Sequence, residues 1–271
     1  MRIYIVYLLI LFSSTSLFSQ DIWGGISVAT PDNLNAVSTN PAGLGLARGK
    51  QFGIYIPFDS VFTLYKSRRF SGFGYDVKYE YKNGELPNLF NPSDANIGLG
   101  TMLFPNAYAG IKWNKHSFID LGILYRPLNL LSLGLTTRFN DDFTTHYQST
   151  IGIALRPFLQ HRLTIGADID ILENDSTILS PHITLEAMDG ILLTAKSNAN
   201  FDDFQINLAF NFGRNTIYSP LTSNSNSSYS GGIGYYNTSE QKKSVFKKQA
   251  KDTKHYIRLN LSGFFIEEKP Y

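Results

Sequence analysis

Two phrases decide the fold: Phe118-Ile-Asp-Leu-Gly-Ile-Leu-Tyr-Arg-Pro127 with Leu130-Leu-Ser-Leu-Gly-Leu-Thr-Thr-Arg-Phe139, and Ile151-Gly-Ile-Ala-Leu-Arg-Pro157 with Arg162-Leu-Thr-Ile-Gly-Ala-Asp-Ile-Asp-Ile171. They are one phrase said twice. Gly122-Ile-Leu-Tyr-Arg-Pro127 matches Gly152-Ile-Ala-Leu-Arg-Pro157, and Ser132-Leu-Gly134 matches Thr164-Ile-Gly166. The repeat is about 30 residues, the length of a β-hairpin plus the turn to the next. Within each copy side chains alternate. Leu131, Leu133, Leu135 and Phe139 share a face on which Thr137 is the only polar member, against Ser132, Gly134, Thr136 and Arg138. In the second copy Leu163, Ile165, Ala167, Ile169 and Ile171 oppose Arg162, Thr164, Gly166, Asp168 and Asp170. A period of two means strand. A soluble sheet would pack the apolar face inward; a membrane barrel would turn it to lipid and keep a polar lumen.

The rest of the chain favours the barrel. Residues 1–20 have the plan of a secretory signal peptide: Arg2, an apolar run from Ile3 to Phe12, and small residues to Ser19, near which cleavage is expected. That run is too short for a helix of about 20 residues to span a bilayer, and no later run is longer. Charged residues are only 17%, below the usual quarter, and aromatics reach 14%. Exported barrels spread their hydrophobicity over alternate positions, so the mean hydropathy stays modest, here -0.13. A net charge of +2 gives no case for nucleic acid, and the absence of cysteine removes disulfides and thiolate metal sites.

Alternating segments run in series from Gln51 to Tyr236, joined by short turns such as Asn83-Gly84, Pro105-Asn106 and Asp189-Gly190. Residues 219–230 read as a Ser/Asn-rich loop. Gly98, Gly100 and Gly110 are expected to relieve crowding at a curved or tilted wall. The fold read from this pattern is all-β: an antiparallel up-and-down transmembrane β-barrel of about 12–14 strands, preceded by a short helical, plug-like segment. The division is 1–20 signal peptide, 21–50 plug-like segment, 51–238 barrel, 239–255 basic linker, and 256–271 a terminal strand or the start of another domain.

The segment before the first strand contains Asn40-Pro-Ala-Gly-Leu44, where Asn40 can cap a short helix begun by Pro41. Asn40, Pro41, Ala42, Gly43 and Leu44, in this position, resemble the N-terminal motif of FadL/PorV-like outer-membrane barrels. The resemblance implies a small segment that sits inside or plugs the barrel. It also implies a partner that is either a hydrophobic small molecule or a secreted protein, besides outer-membrane lipid. At the other end, Tyr256-Ile-Arg-Leu-Asn-Leu-Ser-Gly263 and the acidic, proline-containing turn after it resemble the opening strand of SppA-type signal peptide peptidases. That family's catalytic serine and lysine lie far downstream of this strand and match no position here, so no catalytic residue is assigned.

No other site chemistry stands out. The five histidines have no metal-ligand spacing, no Gly-rich phosphate loop occurs, and neither cofactor nor metal is expected. Asp168 and Asp170 share a strand face and could form a catalytic carboxylate pair. The simpler reading makes Arg138, Arg156, Arg162, Asp168 and Asp170 lumen-facing residues that balance one another. The function expected is a non-enzymatic outer-membrane barrel acting as anchor, scaffold or channel. The alternative is the barrel portion of an SppA-like peptidase.

Overall fold

The computed structural model describes residues 26–58, 63–70, 72–80, 92–116, 118–140, 143, 145–158, 162–173, 176–223, 229–240, 244, 246–248 and 257–259. The expected signal peptide and the Asn83-Gly84 turn lie outside the described residues.

Fourteen strands follow one another in chain order: β1 (Gln51–Pro57), β2 (Thr63–Phe70), β3 (Phe73–Glu80), β4 (Asp94–Phe104), β5 (Ala107–Asn114), β6 (Phe118–Leu128) and β7 (Leu131–Asn140). The second half comprises β8 (His146–Leu155), β9 (Leu163–Leu172), β10 (Thr177–Met188), β11 (Ile191–Ser197), β12 (Phe204–Phe212), β13 (Asn215–Ser223) and β14 (Tyr229–Thr238). Each pairs antiparallel with its sequence neighbours, and β1 pairs with β14, so the sheet closes on itself and has no edge. Apart from this barrel, β15 (Phe246–Lys248) and β16 (Ile257–Leu259) pair in a sheet of their own. A short strand therefore interrupts the basic stretch 239–255.

β13 corrects the sequence reading, which placed a loop over residues 219–230. Pro220 cannot donate to a ladder. The β13–β14 register skips from Tyr218–Gly234 to Leu221–Gly231, and the Ser219 hydroxyl donates to the Gly232 carbonyl at 2.9 Å inside that gap.

The alternation settles which face is which. Ile165 is 45% exposed, whereas Asp168, of the opposite parity on β9, is 1% exposed. Leu99, Ile123, Ile151, Ile206, Leu208 and Ile233 also stand exposed around the outside. This outer face is a continuous apolar band, the surface a bilayer covers. Trp113 and Tyr229 stand exposed toward one rim and Tyr125 and Tyr235 toward the other, as in the aromatic girdles of membrane barrels.

The two rims differ. Two residues separate β2 from β3, β4 from β5, β6 from β7, β10 from β11 and β12 from β13; thirteen separate β3 from β4 on the opposite rim. β1 begins and β14 ends on the short-turn rim. In outer-membrane barrels such turns face the periplasm and the longer loops face outside.

Candidate functional site: the occupied lumen

Residues 26–46 lie inside the barrel, and residues 47–50 lead out at the short-turn rim to β1. The inner residues form two 3-10 turns, Leu34–Ala36 and Pro41–Gly45, too short to stand alone and held by the wall. Room for them comes from inward-facing glycines that sit side by side on adjacent strands: Gly100–Gly110, Gly110–Gly122 and Gly134–Gly152. A Cβ on Gly110 would collide with the Pro41 carbonyl, one on Gly122 with the Asn40 side chain, and one on Gly134 with the Val28 carbonyl. Gly98, Gly100 and Gly110 thus make space for the inner segment, a more specific task than easing a curved wall.

The motif residues 40–44 are the joint of this packing. The Asn40 amide donates to the Val28 carbonyl at 2.8 Å and to the β6 Ile123 carbonyl at 3.1 Å, while its oxygen accepts from the Ala42 N–H. One side chain therefore caps a turn, ties the segment to itself and ties it to the wall. Ala42 packs with Leu46 and Leu124 of β6, and Leu44 with Ala36 and Val37. The Gly43 carbonyl accepts from Arg69, a fully buried β2 side chain that also donates to the carbonyls of Asn33 and Leu46. On the opposite side Leu34 packs into Tyr55, Tyr218 and Tyr236. Tyr55 and Tyr218 stack with centroids 6.2 Å apart. The segment thus touches wall on both sides of the lumen.

Ion pairs hold it at one end and hydrogen bonds at the other. At the short-turn rim Asp32 accepts from Arg126 at 2.8 Å, Arg156 at 2.7 Å and Arg48 at 3.1 Å. Arg126 and Arg156 hold equivalent places in the sequence repeat, four residues after Gly122 and Gly152. The repeat therefore delivers two glycines under the segment and two guanidiniums onto one of its carboxylates. Burial alone would raise the Asp32 carboxyl; Arg126, Arg48 and Arg156 outweigh it and hold the group well below the usual carboxylate range. Nearer the loop rim, Ser27 donates to Asp168 at 2.6 Å, and Lys112 donates to the Ser38 carbonyl at 3.1 Å.

Four of the five charged residues singled out from sequence face the lumen, with partners other than those expected. Arg138 binds Asp120 through two bonds of 2.8 and 2.9 Å, and Lys112 completes that group. Arg156 binds Asp32. Asp168 takes Lys196 at 3.1 Å besides Ser27, and Asp170 accepts from Gln148 and Thr150. The fifth, Arg162, precedes β9 at the turn rim, where it is exposed and pairs with Asp189 at 3.0 Å; the strand starts one residue too late to carry it into the lumen. Asp168 and Asp170 do share a face, but each is engaged by its own donors. Asp32, Arg69, Lys112, Asp120, Arg126 and Lys196 were missed. Of these, Arg126 had a visible signal, its place in the repeat opposite Arg156.

Among the described residues, two spaces border the segment. Toward the loop rim is a cavity of about 490 Å³ whose lining includes Arg138, Gln148, Asp168, Asp170, Lys196 and Gln205. At the turn rim is one of about 440 Å³ lined by Arg48, Arg126, Arg156, Asn106, Tyr108 and Asn129, with Leu46, Ala47 and Leu128. Among the described residues no three His, Asp or Glu side chains are grouped to hold a metal ion.

No protein-family model and no curated protein matches the sequence. Among solved structures, the Acinetobacter baumannii outer membrane protein Omp33 superposes with a TM-score of 0.50 at 10% identity, over 72% of this chain and 99% of that one. A triple mutant of the Rhodopseudomonas blastica porin gives a TM-score of 0.45 at 8% identity, over 69% of this chain and 97% of that one. At such identity the likeness to Omp33 speaks for the fold alone: a closed antiparallel β-barrel of the outer-membrane type.

Proposed function

We propose that this protein is a non-enzymatic, FadL/PorV-like outer-membrane barrel that serves as an anchor or scaffold, with a lumen stoppered by its own residues 26–46. The observation that carries this reading is the inner segment seated on wall glycines, tied by ion pairs through Asp32 at the short-turn rim and by hydrogen bonds of Ser27 and Ser38 nearer the loop rim. A channel reading requires that segment to move. The charged groups in the lining of the loop-rim cavity, Asp120, Arg138, Asp168, Asp170 and Lys196, fit passage of a hydrophobic small molecule poorly and favour the scaffold role, with a secreted protein as the class of partner. Planar-bilayer recording tests this: the full chain should insert with little steady conductance, and deletion of residues 26–47 should give a stable open pore. A full chain that conducts as well as the deletion would remove the stopper.

A second reading makes the barrel the membrane anchor of an SppA-like peptidase. What supports it is the pairing of Ile257–Leu259 with Phe246–Lys248 apart from the barrel. Reading the coding sequence past Tyr271 tests it: an in-frame serine peptidase domain is the expected result, and a stop codon rejects it.

A further inference from the structure

The arginine group around Asp32 holds more cation than its structural task needs. One carboxylate is satisfied by one guanidinium through two parallel bonds. Here three converge on it, each with five N–H donors. Arg126 spends further donors on the Ser132 hydroxyl and the Ala29 carbonyl. Arg156 is 8% exposed, and among the described residues its Nε has no hydrogen-bond partner. Three guanidiniums therefore meet one carboxylate. The surplus is two positive charges beside the turn-rim cavity of about 440 Å³, whose remaining polar lining is Asn106, Tyr108 and Asn129.

We infer that this cavity is a binding site for a small doubly charged oxyanion, a phosphate or a dicarboxylate, gripped by Arg48, Arg126 and Arg156 and reached from the short-turn rim. Planar guanidiniums match both ligand types with paired bonds, which an ammonium cannot supply. Asp32 occupies part of that donor set, so it is a built-in competitor for any anion that enters.

Calorimetric titration of the full chain, folded in detergent, tests the site with inorganic phosphate and succinate, and with chloride at equal ionic strength as the control. Phosphate and succinate should bind saturably and chloride should not. Asp32→Asn, which removes the competing like charge but keeps the size of the side chain, should tighten binding by roughly tenfold or more at a phosphate or succinate concentration where the bound anion replaces the carboxylate in holding residues 26–50 against protease. Arg126→Gln with Arg156→Gln should weaken it by at least tenfold, and Arg48→Gln, which leaves the barrel wall untouched, should weaken it if the pair fails to fold. Dihexanoyl phosphatidate binding better than inorganic phosphate assigns the site to a lipid headgroup; the reverse order assigns it to a free anion. The site is overturned if wild type and Asp32→Asn both show no saturable binding, or if binding survives the arginine changes in protein that still shifts on boiling in gels. Loss of the site with the closed conductance intact leaves the stoppered-barrel reading standing.

Discussion

Asp32 on the inner segment and Arg156 on the barrel wall, 124 positions apart in sequence, meet at 2.7 Å. Arg126 takes the other carboxylate oxygen at 2.8 Å. The contact joins the part of the chain that fills the lumen to the part that faces lipid, and it closes only when both are in place. Removing the carboxylate leaves the buried Arg156 without its charge partner and Arg126 with only the Ser132 hydroxyl and the Ala29 carbonyl. Asp32→Ala should therefore loosen docking of residues 26–50 by about 3–5 kcal/mol. Limited proteolysis should then cut within that segment while the barrel remains intact.

The same contact gives a pH dependence. The Asp32 carboxyl is held below its ordinary value, so its contribution is fully present above the unfolded value, about 3.9. It is lost as pH falls through the lower folded value. Proteolytic protection of the segment should be constant from neutral pH down to about pH 4 and decline below it. Asp32→Asn should abolish this acid-side decline. A decline centred near pH 6 in the wild type would point to another group.

The glycines beneath the segment are steric requirements. Gly134→Val places a side chain where Val28 and Ala29 run. It should cost about 1–3 kcal/mol through overpacking and expel or shift the segment. Thr136→Val, next inward on the same strand and lining the loop-rim cavity, should do neither. Equal protease sensitivity in the two variants would show that the lumen is wider than the packing implies.

The outer face predicts a second contrast on one strand. Leu133 is exposed on the apolar band and Thr136 lines a polar cavity. Leu133→Arg should cost roughly 2–4 kcal/mol near the bilayer midplane, and Thr136→Arg far less. Urea unfolding from lipid vesicles gives both values.

The barrel was legible because period-two alternation is a local signal, repeated until the number of strands was nearly fixed. Turn chemistry helped: Asp189-Gly190 does turn between β10 and β11, with Gly190 at φ 83°. β13 escaped because Pro220 and a run of Ser, Thr and Asn mimic a loop locally; only two paired neighbours make that segment a strand. The motif at residues 40–44 was visible, but its task was not. Asn40 contacts Ile123 across 83 positions, and no periodicity encodes such a contact. Arg162 was misplaced for the opposite reason: its parity was right, but the strand begins after it. The partners of Arg138 and Asp168 were also beyond reach, because same-face residues on a barrel can pair with any neighbouring strand.

In this barrel the apolar side of the strands meets lipid while the polar side encloses the N-terminal segment. The chain has no cysteine, so single nitroxide labels can be placed cleanly. Labels at Ile206 and Asn207, adjacent residues of opposite face on β12, should be compared in lipid vesicles. Accessibility to oxygen should be high and to a water-soluble nickel complex low at residue 206, with oxygen access sharply lower at residue 207. Oxygen access that is equal at both, or higher at 207, would contradict the assignment of faces and the stoppered lumen with it.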